Sequence, residues 1–184
     1  MKRQLNITVN GESHDLFIEP KTLLVQVLRE MLGLKGTHQA CDSSSCAACT
    51  VIVDGKAVKS CSILALQVSG KNVTTIEGLA EGTQLHPIQQ AFIDNWAFQC
   101  GFCTSGQIMA AKAFLDENPD PTREDVQEQM DGHICRCTGH NMINEAIRDA
   151  AKRLQLREAA KKLPPQKNVQ SPKWMQTAKS GKGA

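Results

Sequence analysis

Three cysteines on one short loop, Cys41, Cys46 and Cys49, and a fourth at Cys61 constrain this chain more than any other feature. Their spacing is C-x4-C-x2-C, then eleven residues, then the last cysteine. That is the spacing of thiolate ligands around a plant-type [2Fe–2S] cluster. Three thiolates on one tight loop reach both irons only if the backbone wraps the cluster. Cys61 must then arrive from a neighbouring element. Small residues between the ligands (Ser43 to Ser45, Ala47, Ala48) let the loop approach the inorganic sulfides. The short C-x2-C would also suit zinc, but all four cysteines fit the longer pattern at every step.

The rest of the composition is compatible with such a centre. The 184 residues allow one or two domains, and with only 4% aromatic residues the core must be aliphatic. There is no run of eighteen apolar residues, so no transmembrane helix is expected. The N-terminus has no apolar signal region. Eight cysteines without a secretory signal read as thiolates in a reducing, cytoplasmic setting rather than as disulfides. Charge is uneven. Residues 1–150 carry 12 Lys and Arg against 18 Asp and Glu, whereas residues 151–184 carry nine against one. An acidic body with a basic tail results. Such a tail suits an acidic partner, an anionic lipid or a nucleic acid, or is simply solvated.

Along the chain, Leu5, Ile7 and Val9 alternate, Asn10-Gly11 marks a hairpin turn, and His14, Leu16 and Ile18 share a face of the return strand. Thr22 is expected to cap a helix carrying Leu23, Leu24, Val27, Leu28 and Met31, which ends at Gly33. Beyond the cysteine loop, residues 49–53 and 56–59 flank a second turn at Asp54-Gly55, and residues 72–76 form a last strand. Two hairpins, a helix and a closing strand match a β-grasp plan over residues 1–76. Residues 77–86 read as a linker. From Pro87 the apolar period becomes helical. Four helices are expected: one with Ile88, Ala91, Phe92 and Trp96 on a stripe; one capped by Thr104; one opening at Thr122; and one over 141–156. They predict a four-helix bundle within residues 87–157. Residues 158–184 are expected to be a basic extended or disordered tail.

The helical half holds the other four cysteines, in Gln99-Cys100-Gly101-Phe102-Cys103 and Cys135-Arg136-Cys137. Each pair precedes a predicted helix. Two helix N-termini would thus aim N–H groups and positive dipole ends at one negatively charged centre. A structural zinc site is the competing reading from this spacing alone. All eight cysteines are used, four per site.

These motifs, with Cys49-Thr50-Val51 after the first loop and Thr138-Gly139 after the last pair, resemble the small iron–sulfur subunit of the molybdenum hydroxylases, the xanthine oxidase family. The likeness spans about residues 3–155. Cys41-Asp42-Ser43-Ser44-Ser45-Cys46 and Val58-Lys59-Ser60-Cys61 look most like the carbon monoxide dehydrogenase branch and its relatives. The resemblance implies an α+β chain: a plant-type ferredoxin-like domain, then a four-helix domain, each with one [2Fe–2S] cluster. It implies that Gln99 hydrogen-bonds the pterin of a molybdopterin cofactor held by a large subunit, and that the sulfur of Cys137 lies against it. It implies a further partner, a flavin (FAD) subunit, a cytochrome or another acceptor. No nucleic-acid partner follows from it. The chain departs from the family in its serine-rich first loop, whose hydroxyls could donate to cluster sulfurs. It departs also at Ser105, where proline is common, and at His140, where tyrosine is common. The expected role is one-electron relay within an oxidoreductase complex, with no substrate turnover by this chain alone. The rival is a stand-alone two-cluster redox protein or a zinc scaffold, either of them using the basic tail on nucleic acid.

Overall fold

A computed structural model describes residues 1–162 of the chain. The expected tail over 158–184 therefore lies mostly outside the described residues, and its first part, up to Lys162, is helical.

The N-terminal half is a five-stranded sheet in the order β2-β1-β5-β3-β4. Strand β1 (Arg3–Val9) pairs antiparallel with β2 (Glu12–Ile18) and parallel with the short β5 (Asn72–Thr74). Strands β3 (Thr50–Val53) and β4 (Lys56–Lys59) form the second hairpin. Both hairpin turns have the left-handed pairs their sequences demand: φ is +52° and +86° at Asn10-Gly11, and +46° and +86° at Asp54-Gly55. Leu5, Ile7, Val9, Val51 and Val53 bury one face against Leu24, Val27 and Leu28. The covering helix begins as α1 (Leu24–Gln26) and continues as a π-helical turn (Val27–Met31). Its N-cap is Leu23, not Thr22, and the Gln26 side chain accepts from the Leu23 N–H in place of a hydroxyl cap. Gly33 closes it at φ +73°.

The second half contains α2 (Pro87–Asp94), α3 (Thr104–Glu117), α4 (Arg123–Met130) and α5 (Asn141–Lys162). Pro87 occupies the first turn of α2, and Thr122 caps α4 with a reciprocal bond from Asp125, as those residue types predict. Trp96 does not join the α2 stripe. The helix ends before it, φ there is +53°, and the indole is 75% exposed. Thr104 is not a cap either: Cys103 takes that position, and the threonine hydroxyl is buried without a partner.

The helices share a core of Ile88, Phe92, Met109, Val126, Met130, Ile143 and Ile147. They contact one another in a ring, α2 with α5, α5 with α4, α4 with α3 and α3 with α2. Helix α3 packs on β3 and β4 as well as on α2 and α4, and Ile52 of the sheet belongs to the helical core. The architecture is a mixed α/β fold in which α3 joins the two halves. The segment expected as a linker contains a turn with Glu81 and Gln84 bridged to each other.

Candidate metal centres

The first loop folds around its own sulfurs. Ser44 and Ala47 adopt φ of +60° and +58°, so the chain reverses hand twice and turns successive N–H groups inward. The Cys46 N–H donates to Cys41 Sγ at 3.5 Å. That bond, contact with the Cys46 side chain and further N–H groups from Ser43 and Ser45 push the Cys41 thiol down to about 6. Cys49 lies against Cys61, and burial pushes it up to about 11. Ser60 Oγ donates to the Cys49 carbonyl at 2.7 Å and anchors the arriving segment, whose short 3-10 turn (Ser60–Ser62) presents Cys61. Of the three loop serines, Ser43 and Ser45 bond to each other at 3.0 Å. Ser44 Oγ instead lies 3.9 Å from Cys61 Sγ.

The second set assembles where α3 begins and α5 is about to begin. Cys103 is the N-cap of α3. Gly101, at φ +78°, makes the turn that brings Cys100 alongside. Cys137 Sγ is 3.4 Å from Cys100 Sγ, and Cys103 meets Cys135. Burial, then contact with Cys135, pushes Cys103 up to about 12. Cys135 feels burial in the same direction. Bonds from the Thr138 hydroxyl (3.1 Å) and N–H (3.4 Å) outweigh it and hold the thiol near 7. The Phe102 N–H donates to Cys100 and lowers it, and contact with Cys100 raises Cys137.

The eight cysteines thus meet in four pairs, Cys41 with Cys46, Cys49 with Cys61, Cys100 with Cys137 and Cys103 with Cys135. In each site at least one thiol is drawn toward the thiolate that binds metal. Two four-coordinate irons sharing four protein thiolates need two pairs per site, so the donor set and its N–H supply fit a [2Fe–2S] cluster. Among the described residues no three His, Cys, Asp or Glu side chains converge on a single-ion site. Gln99, Cys100 and Cys137 are exposed together, whereas Cys46, Cys49 and Cys61 are buried.

The two loops touch. The N–H of Ile134, the residue before Cys135, donates to the Cys46 carbonyl at 3.1 Å. Helix α3 comes so close that a Cβ on Gly106 would lie 2.3 Å from the Ala47 carbonyl oxygen. The cysteine spacing gives no hint of Ile134, Gly106 or the cap on Cys135 from Thr138. A buried polar group is equally unannounced: Gln107, fully buried on α3, has neither amide atom paired.

The comparisons with known proteins agree with this division. A 2Fe-2S iron-sulfur cluster binding domain matches residues 7–77, and a [2Fe-2S] binding domain matches 75–148. The two define an iron–sulfur protein with two cluster-binding regions. The chain is 43% identical over 152 residues to the nicotinate dehydrogenase small FeS subunit of Eubacterium barkeri, covering 83% of this chain and 97% of that one. It is 45% identical over 148 residues to the aldehyde oxidoreductase of Megalodesulfovibrio gigas, covering 79% of this chain but 16% of that longer protein. A chain in the crystal structure of quinoline 2-oxidoreductase from Pseudomonas putida 86 superposes with a TM-score of 0.81 at 39% identity, covering 84% of this chain and 97% of that one. The chain belongs to the small iron–sulfur subunits of the molybdenum hydroxylase family, and its role is electron transfer within an oxidoreductase complex.

Proposed function

We propose that Cys41, Cys46, Cys49 and Cys61 ligate one [2Fe–2S] cluster, that Cys100, Cys103, Cys135 and Cys137 ligate the other, and that the chain relays electrons from a molybdopterin-binding large subunit toward a flavin subunit or another acceptor. The finer architecture on this reading is a β-grasp domain over 1–76, a linker over 77–86, a four-helix domain over 87–157 and a basic tail beyond. Bound clusters supply one-electron acceptance and donation. The observation that carries the reading is the direct bond from Ile134 N–H to the Cys46 carbonyl. It ties a residue next to one ligand to a ligand of the other set, and Gly106 pressed on Ala47 and Ala48 keeps the two loops in contact.

Gln99 is the residue through which the second site would meet the pterin. It is exposed and directly precedes Cys100, whose sulfur lies 3.4 Å from that of the exposed Cys137. Exposed Ile93, Trp96, Phe98 and Phe102 flank it in sequence, and an apolar surface of this kind favours a protein interface. Relatives this similar carry names for nicotinate and aldehyde chemistry. Substrate choice therefore rests with the partner. Eight free thiols suit a cytoplasmic setting. No described helix is long and apolar enough to cross a membrane.

The test is Gln99→Ala in the assembled complex, with substrate-driven reduction of the clusters followed by rapid mixing. Slowed reduction with both cluster spectra unchanged supports the pterin-facing role. An unchanged rate, or loss of a cluster signal, refutes it.

A further inference from the structure

The loop that leads into the first cysteine set also grips the second. His38 precedes Cys41 by three residues, yet its Nδ1 lies 2.8 Å from the carbonyl oxygen of Phe102, so the ring donates there. Its imidazole stacks on the Phe102 ring with centroids 4.7 Å apart and planes inclined by 21°. Ser105 Oγ lies 3.5 Å from the same nitrogen. Phe102 is in turn the residue whose N–H donates to Cys100. One residue is therefore held by His38 at its carbonyl and ring while its N–H serves a thiol.

The support behind His38 is rigid. Arg29 Nη1 donates to the carbonyls of Lys35 at 2.9 Å and Thr37 at 2.6 Å. The Gly36 N–H donates to Glu77 Oε1 at 2.7 Å, and Gly36 packs so tightly on Ile76 that a Cβ would lie 2.5 Å from its methyl. With residues 35–37 held on its N-terminal side, the imidazole has little freedom to leave Phe102.

We infer that His38 is a positioning residue for the second cluster, the one it does not neighbour in sequence: by clamping Phe102 it fixes the N–H that stabilises the Cys100 thiolate. Outer hydrogen-bond partners of this kind orient a ligand and tune the potential of its centre. This inference rests on the assignment of Cys100, Cys103, Cys135 and Cys137 as cluster ligands. Without His38 the Phe102 carbonyl and ring lose their hold, the residue is free to rotate about its Cα, its N–H swings away from Cys100, and the reduced, more negative form of that cluster is less favoured.

The experiment compares His38→Ala, His38→Phe and His38→Asn in the full assembled complex by potentiometric titration with electron paramagnetic resonance. The asparagine amide approximates the Nδ1 donor, and the phenylalanine keeps only the stack. The expected result is a downward shift of the second cluster's potential and an altered line shape in the Ala and Phe variants, with recovery in the Asn variant. The first cluster's signal should stay as in the wild type, although His38 sits on its loop. Unchanged second-cluster signals in all variants overturn the inference, as does a change confined to the first cluster. A wild-type protein without two cluster signals would instead refute the ligand assignment.

Discussion

The contact between the two cysteine loops makes Gly106→Ala the sharpest probe of how the halves are joined. The added methyl carbon would lie 2.3 Å from the Ala47 carbonyl oxygen, 2.8 Å from that of Ala48 and 2.9 Å from the Ala48 carbonyl carbon. Ordinary contact begins at 3.4 Å, so the closest of these is short by 1.1 Å (3.4 less 2.3). All three atoms are backbone, and no side chain can swing aside to make room. Either α3 or the first loop must shift as a body. Overpacking of this kind costs about 1–3 kcal/mol. At about 2–4 °C per kcal/mol for a protein of this size, the midpoint of thermal unfolding should fall by roughly 2–12 °C. The same displacement stretches the Ile134–Cys46 bond and should weaken the magnetic interaction between the two reduced clusters. Gly132 is the control: an added methyl there would meet nothing within 4 Å, its φ is not left-handed, and its alanine variant should leave both readouts unchanged. A Gly106→Ala protein with wild-type melting and wild-type cluster interaction would refute the close-contact argument.

Ser44→Ala should lower the potential of the first cluster by ~20–60 mV, the equivalent of one lost hydrogen bond of about 0.5–1.5 kcal/mol for a one-electron couple. Ser45→Ala should not, because of these two hydroxyls Ser44's approaches Cys61 Sγ whereas Ser45's bonds to Ser43; equal shifts in both variants, by redox titration, would contradict this. His86 caps α2 by accepting from Ile88 N–H through Nδ1 at 3.3 Å, a bond that protonation abolishes. Burial, with Lys112 and Arg157 adding to it, holds this histidine below its usual value near 6.5. The unfolded chain therefore takes up the proton first. Stability contributed here is complete above pH ~6.5 and is lost as pH falls toward the folded-state value. His86→Ala should cost about 1 kcal/mol at pH 7.5 and flatten the decline toward acid pH, as read by denaturant unfolding at a series of pH values.

What was legible in the sequence was local chemistry. Asn10-Gly11 and Asp54-Gly55 specify their turns because few residues accept two successive left-handed conformations. Thr122 and Asp125 announce a helix start because their side chains serve N–H groups three residues away. The cysteine spacing pointed to two four-thiol sites, and the folded chain pairs Cys41 with Cys46, Cys49 with Cys61, Cys100 with Cys137 and Cys103 with Cys135. Periodicity failed where a helix stops short of its pattern, as at Trp96. Cap chemistry failed where a cysteine took the position and left Thr104 buried. The contacts joining the two halves had no local signature. His38 and Phe102 are 64 residues apart, and Ile134 meets Cys46 through backbone atoms that any residue would supply. The same distance in sequence hid the union of sheet and helices, since nothing near Ile52 foretells its place in the helical core.

The central claim is that eight cysteines hold two binuclear clusters. The most direct test is iron and acid-labile sulfide per chain on anaerobically purified protein, together with electron paramagnetic resonance after reduction. Two [2Fe–2S] regions predict about four irons and four sulfides and two distinct reduced signals. Colourless protein containing zinc, or two irons with a single signal, would contradict it.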